Sequence, residues 1–438
     1  MSTQNKHKLL VPLILMGILF FVFGFVTWLN GILIPYLQIA CELTNFQAVF
    51  VAFSFYISYT LMALPSSKIL ARTGFKSGIM IGLMIMAAGT LIFIPAAIYR
   101  TYSLFLAGLF VMGTGLALLQ TAVNPYITIL GRRETAAVRF SIMGICNNIA
   151  GAIGPLILAY FILNDGDAIV NSLKSLDAEA KRMVLDDLSR RVVFPYIVMT
   201  AALVALGVLV KFSPLPEIDS ETEEDAGVAD ASKTSIFQFP HLVLGAIALF
   251  FYVGVEVIAG NTVFSYGISL GVPIESAKSY TTMVMIAMLV GYVLGIMAIP
   301  RFISYHTVLI ISALTGILFT IAAIIIPTRL AFTIPWVDIR MPLTVFFIVL
   351  LGLSNALIWP AIWPLAIHNL GKFIKTGSAL MIMAIAGGAI LPLAWGWISD
   401  HWSAREAFWI AVPAYSVILI YALYGYKVKS WKRSNKNF

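Results

Sequence analysis

The chain has 438 residues, of which 60% are hydrophobic and only 11% charged, with a formal net charge of +8. A mean hydropathy of +0.95 excludes a water-soluble globule, whose composition normally includes about a quarter charged residues. The positive charge sits at chain ends and in short loops, so it reads as an orientation signal and an attraction to anionic lipid, not as a nucleic-acid footprint.

A hydrocarbon core about 30 Å thick needs about 20 apolar residues of helix. Twelve such stretches are present, near 10–34, 46–70, 78–98, 102–130, 141–163, 192–212, 241–266, 279–300, 307–327, 342–369, 374–398 and 406–426. They predict an all-α membrane protein with twelve transmembrane helices in two six-helix bundles, residues 1–212 and 241–438. The acidic, proline-flanked segment 213–240 would join them as a cytosolic linker. The first stretch is too long for a signal peptide and lacks a clear cleavage site, so it is read as retained. Within it, Asn30 lies beside Gly31 and before Pro35, where a helix loosens. There it either contacts a substrate or satisfies the opened backbone.

Between the second and third stretches the short basic loop SKILARTGFKSG is assigned to helix packing and gating, as is PRFISYH between the eighth and ninth. Polar side chains inside lipid are costly unless they face a bundle interior, so each marks a candidate pathway. In the fourth stretch Gln120 and Asn124 share one helical face and precede Pro125. An amide offers both a donor and an acceptor, as a sugar hydroxyl does. Interhelical amide bonding is the alternative use. On the fifth stretch Asn147 and Asn148 point about 100° apart, and Asn147 is favoured as the lining residue. The loop 164–191 contains LKSLDAEAKRMVLDDLSRRV, whose periodicity predicts an amphipathic helix lying on the membrane, with a mere tether as the alternative.

In the seventh stretch Glu256 is the only carboxylate well inside any span. It either takes a proton or holds a cation, or else makes a structural hydrogen bond. Asn261 lies five residues on, about 140° round the helix, and would join it only if the backbone opened near Gly260. The tenth stretch places Asn355, Trp359 and Trp363 at four-residue intervals. An indole there can stack on the apolar face of a pyranose, although Trp is also common at membrane interfaces. His368 is read as a surface residue near the cytosolic end, and Tyr56 and Tyr252 as packing residues. The fourth and tenth stretches contain prolines and are expected to tilt or kink. The basic ends (Lys6, Lys8; Lys427, Lys429, Lys432, Arg433, Lys436) place both termini in the cytoplasm. Cys41 and Cys146 do not make a disulfide framework.

The chain also repeats itself. Gly113 aligns with Gly352, Pro125 with Pro364, the GAIGPL ending at Leu156 with the GAILPL ending at Leu393, and FFVFGFV from Phe20 with FFYVGVE from Phe250. The offset of about 230–240 residues defines two similar halves in the same order. Parallel repeats of this kind are the architecture of the major facilitator transporters. The segments LNGILIPYL, ELTNFQA, LPSSKILARTGFKSG, LLQTAVNPYITILG, YVGVE and PRFISY resemble the fucose–galactose–glucose symporter family of that superfamily, through nearly the whole chain. The similarity is greatest to bacterial glucose/galactose transporters. It implies a two-bundle fold with pseudo-two-fold symmetry, alternating access and inward movement of a monosaccharide across a bacterial inner membrane.

The resemblance also implies departures from the fucose permease. Gly31 follows Asn30 where that permease has aspartate, Gln120 stands where it has glutamate, and Gly144 where it has glutamine. Its two coupling carboxylates are therefore missing, which leaves Glu256 as the acidic candidate. The expected substrate residues are Gln120, Asn124, Asn147, Asn30, Asn355 and Trp359, in a chamber at the seam of the bundles. Glu256 and Asn261 are the expected cation-coupling residues. A lone carboxylate among neutral amide oxygens suits a hard cation, so the reading leans towards sodium near Glu256. Proton symport and facilitative uniport are the alternatives. No cofactor, nucleic acid or second subunit is expected, and no Walker loop or nucleophile–base pair points to ATP-driven transport or an enzyme.

Overall fold

The computed structural model describes residues 3–43, 45–130, 135–162, 168–169, 172–173, 175–213, 215, 233–272, 274–299, 301–334 and 339–431. Most of the 213–240 linker, and Lys432, Arg433 and Lys436, lie outside the described residues. The fold is all-α, and among the described residues eleven helical segments are long and apolar enough to cross a membrane. Two compact units are present: residues 1–123 with 146–218, and residues 124–145 with 219–438.

The first unit contains α1 (Thr3–Trp28), α2 (Asn30–Ala40), α3 (Asn45–Ile98), most of α4 (Tyr102–Ile129) and of α5 (Ala136–Ile162), α6 (Ala178–Arg190) and α7 (Val193–Phe212). A straight helix of 54 residues would be about 80 Å long. Instead, Gly74 adopts φ 75° and ψ 177° inside α3, a left-handed conformation that glycine tolerates without steric cost. The chain doubles back there, because both ends of α3 reach the same helix. Glu42, just before it, pairs with Lys181 at 2.6 Å, and Arg100, just after it, pairs with Asp186 at 3.3 Å. Lys76, in the basic loop at this bend, donates to the Ser213 carbonyl at 2.7 Å, beyond the end of α7. That is the helix-packing role expected of the loop.

α6 is amphipathic, as its periodicity predicts, and Asp177 caps it by accepting from the Ala180 amide at 2.8 Å. Part of its apolar face is covered by protein. Leu185 and Leu188 are buried, Tyr36 donates to the Leu188 and Ser189 carbonyls at 3.0 and 2.9 Å, and Ser189 donates to the Ala97 carbonyl at 2.9 Å.

The second unit contains the end of α4 and the start of α5, followed by α8 (Pro240–Ser269), α9 (Ile274–Ala298), α10 (Tyr305–Ile325), α11 (Leu343–Asn355), α12 (Ile358–Ala366), α13 (Ile374–Met383), α14 (Gly387–His401) and α15 (Ala411–Leu423). Several residues of 124–145 pack within this unit. Ala137 forms a small core with Ile299 and Val308, the Phe140 ring lies 6.2 Å from Trp363, and Tyr292 occupies the space over Gly144. Arg139 is buried and holds the last turn of α4 by donating to the Ile127 and Thr128 carbonyls, each at 2.9 Å.

Proline-driven interruption occurs in the tenth stretch, where α11 ends at Asn355 and α12 begins at Ile358. Pro360 cannot donate to the Ala356 carbonyl and crowds it, so the break falls at Ala356–Leu357. Pro125 lies inside a continuous α4. A second feature not anticipated from the sequence is a short antiparallel hairpin, β1 (Ala331–Ile334) and β2 (Ile339–Pro342), with Ala331 opposite Pro342. Tyr280 ties it down by donating to the Arg340 carbonyl at 2.8 Å.

The repeat has a packing counterpart in each unit. Gly24, fifth in FFVFGFV, leaves room for the α5 backbone at Asn147, and Gly254, fifth in FFYVGVE, leaves room for Leu391 on α14. Gly113 meets the Phe55 carbonyl at 2.5 Å from where a Cβ would stand, and its repeat mate Gly352 meets the Val284 backbone.

Candidate functional site

In the first unit the amides lie close to aromatic rings. Gln120 is half-buried, and its Nε2 donates to Tyr59 Oη at 3.4 Å. Tyr59 is stacked on Tyr56 at 6.4 Å and meets Phe55 edge-on at 5.9 Å. Asn147 is also half-buried, and its Nδ2 donates to the Phe20 carbonyl at 3.4 Å. Both bonds are long for N–H···O contacts, so both amides keep capacity for a better partner. Asn148 is buried, which matches the divergence expected of adjacent helical residues. Asn30 lies at the α1–α2 break, where its Nδ2 donates to the Thr27 carbonyl at 3.2 Å. It satisfies the opened backbone, while its Oδ1 is buried with no partner among the described residues.

In the second unit Asn124 is fully buried, and neither its Oδ1 nor its Nδ2 has a partner among the described residues. Leaving such a group unmet costs about 1–3 kcal/mol, so this amide calls for a polar partner that the described residues do not supply. Glu256, on α8, is half-buried and accepts from Tyr252 Oη at 2.8 Å. The Tyr252 ring lies 6.4 Å from Trp359 at 55°. Trp359 in turn stacks on Trp363 at 5.3 Å and 17°. Trp363 is fully buried and Trp359 half-buried, so Trp359 carries the accessible indole face. Both indole N–H groups are buried without a partner among the described residues.

Asn355 is set apart from that pair by the break at Ala356–Leu357. It is fully buried, and its Oδ1 accepts from Tyr415 Oη on α15 at 2.7 Å. α8 runs unbroken through Gly260, whose carbonyl also accepts from Thr281 Oγ1 at 3.0 Å. The opening that would bring Asn261 to Glu256 does not occur, and Asn261 stays about 140° round the helix. His368 is exposed, as expected. Among the described residues no group of three or more His, Cys, Asp or Glu side chains gathers as a metal site. Sequence reasoning set Tyr252 aside as packing and missed Tyr59 and Tyr415 as amide partners. The available signal was the four-residue spacing of Tyr252 and Glu256 on one helical face.

Two units of long apolar helices, repeated in sequence and holding buried amides and a carboxylate, define a multi-pass membrane transporter. The Major Facilitator Superfamily profile matches residues 16–389, and the chain belongs to that superfamily. It is 34% identical over 429 residues to the glucose/galactose transporter of Brucella abortus biovar 1 (strain 9-941), covering 97% of each chain. It is 28% identical to the L-fucose-proton symporter of Escherichia coli K12, covering 95% of this chain and 94% of that one. The crystal structure of the transporter FucP in the outward conformation superposes with a TM-score of 0.77 at 26% identity, covering 95% of this chain and 99% of that one.

Proposed function

We propose that the protein moves a hexose of the glucose or galactose type across a bacterial inner membrane by alternating access, with proton coupling. The observation that carries this reading is Asn124, a fully buried amide with both polar atoms unmet on the same helix as Gln120. In the proposal Gln120, Asn124 and Asn147 read sugar hydroxyls, and Trp359 offers its exposed face to the apolar side of the ring. Asn30 holds the helix break beside it, and Asn355 is fastened to Tyr415. Support for the substrate class comes from the glucose/galactose transporter of Brucella abortus and the L-fucose-proton symporter of Escherichia coli.

The L-fucose-proton symporter favours protons over sodium near Glu256, and the surroundings of Glu256 agree. A hard cation needs several oxygen ligands, yet Asn261 is on another face and the Asn355 oxygen is taken by Tyr415. What Glu256 does have is a phenol donating to it, a partner suited to a group that gains and loses a proton. In this reading α3 crosses twice about the bend at Gly74, for twelve crossings, the basic chain ends keep both termini in the cytoplasm, and a monomer suffices for the cycle.

The test is uptake by the purified protein in proteoliposomes, with a panel of hexoses and pentoses under imposed gradients. An inward proton gradient is expected to drive accumulation of glucose or galactose, with no response to sodium. Accumulation driven by sodium alone would overturn the coupling assignment, and failure to move any sugar in the panel would overturn the substrate class.

A further inference from the structure

We infer that Tyr252 is a positioning residue that transmits the protonation state of Glu256 to the Trp359 platform, so that the coupling ion sets sugar affinity through one phenol. This deepens, and rests on, the proton–sugar reading above. Tyr252 touches both partners. Its hydroxyl donates to Glu256 Oε1 at 2.8 Å, and its ring lies 6.4 Å from Trp359. The phenol is 1% exposed, so its ring cannot turn without displacing a neighbour. Trp359 has no hydrogen bond of its own at Nε1 among the described residues, so packing alone sets its tilt. Behind it Trp363 is stacked, fully buried and backed by Phe140. The side of Trp359 that can respond is therefore the half-buried one offered to substrate.

Chemistry supplies the change. An ionised carboxylate accepts a charge-assisted bond roughly twice as strong as a neutral one. Protonation gives the carboxyl its own donor, relaxes its hold on the Tyr252 hydroxyl and releases the ring. Among the described residues, the phenols of Tyr292 on α9 and Tyr415 on α15 are within electrostatic reach of Tyr252, and α13, also packed on α8, carries Lys375 in its first turn. α11 and α12 carry no ionisable side chain, and Asp400 and His401 of α14 are exposed in its last turn. Glu256 thus speaks to Trp359 through a neutral, aromatic environment. Sugar affinity is expected to be highest at low pH and to fall as pH rises through the titration of Glu256.

Sugar counterflow and uphill uptake would be measured across a pH series for wild type, Tyr252→Phe and Trp359→Phe in proteoliposomes. Allosteric couplings typically amount to about five- to 150-fold, and the wild-type apparent KM should change within that range. Tyr252→Phe keeps the ring and loses the hydroxyl. It is expected to retain counterflow while its KM varies less than about twofold over the series and accumulation is lost. Trp359→Phe trims the face offered to sugar and should raise KM at every pH, while its pH dependence flattens with the Tyr252–Glu256 bond intact, which keeps the test open if the first variant fails to insert. A Tyr252→Phe protein that follows the wild-type pH profile and still accumulates sugar overturns the relay alone. A wild type that moves sugar with no pH dependence overturns proton coupling and the relay together, and one that moves no sugar overturns the substrate reading beneath both.

Discussion

Asn124 and Asn355 are both fully buried asparagines, yet they are bound to different fates. The Asn355 oxygen is fastened to Tyr415 at 2.7 Å, whereas neither polar atom of Asn124 has a partner among the described residues. Asn355→Ala would leave the Tyr415 hydroxyl buried and unpaired, at a cost of about 1–3 kcal/mol. A lowered melting temperature in detergent is expected, partly restored in the Asn355→Ala/Tyr415→Phe double variant because both partners are then apolar. Asn124→Ala removes an amide that the described residues leave unmet, so no bonded partner is orphaned and stability should fall by less than about 1 kcal/mol while sugar counterflow is lost. Counterflow at the wild-type rate in Asn124→Ala would remove it from the substrate site. Residue type and helical spacing announced both amides, but not which of them the protein would satisfy. That depended on Tyr415, 60 positions away, which no local pattern can place.

Helix-to-helix approach was more legible, because it is written in glycine. The aligned pair Gly24 and Gly254 stands at the same place in the two repeats, and each admits another helix closely, Gly24 the Asn147 backbone and Gly254 the Leu391 side chain. Breaks were legible where proline causes them, as at Pro360, but Pro125 sits in a continuous helix, since lost hydrogen bonds can be made good by neighbours inside a bundle. The hairpin at Ala331–Pro342 was not legible, being short and fixed by a distant tyrosine. A contrast among glycines tests the packing argument. At Gly24 the obstruction is the Asn147 backbone, which cannot rotate away, so Gly24→Val should cost more than the about 1–3 kcal/mol of ordinary overpacking. Gly254→Val, against the Leu391 side chain, should fall within that range. Gly396, in α14, has nothing within 4 Å of a built Cβ, and Gly396→Ala should be neutral or stabilise by about 0.5–1 kcal/mol. Melting of the purified variants orders them, and a Gly24→Val protein as stable as Gly396→Ala would refute the close approach.

At the scale of the molecule, the number and direction of crossings turn on one bend. Hydropathy alone reads residues 46–98 as two spans because charge interrupts them, while helical hydrogen bonding carries on through the interruption except at Gly74. The paired contacts of Glu42 and Arg100 with α6 require both ends of α3 to lie on one side, with the Gly74 loop on the other. Single cysteines in a background lacking Cys41 and Cys146 can read this out. Tyr99, Met183, Ser77 and Trp431 are all exposed, so none needs a conformational change to be reached. A membrane-impermeant maleimide added to intact cells is expected to label Tyr99→Cys and Met183→Cys. Ser77→Cys and Trp431→Cys should react only in inverted vesicles or after permeabilisation. Labelling of Ser77→Cys from the same side as Tyr99→Cys would mean that α3 does not return at Gly74. Labelling of Trp431→Cys in intact cells would instead reverse the orientation drawn from the basic chain ends. The two failures are separable because Ser77 and Tyr99 lie within one hairpin, whose internal sidedness is unaffected by which way the whole chain is inserted.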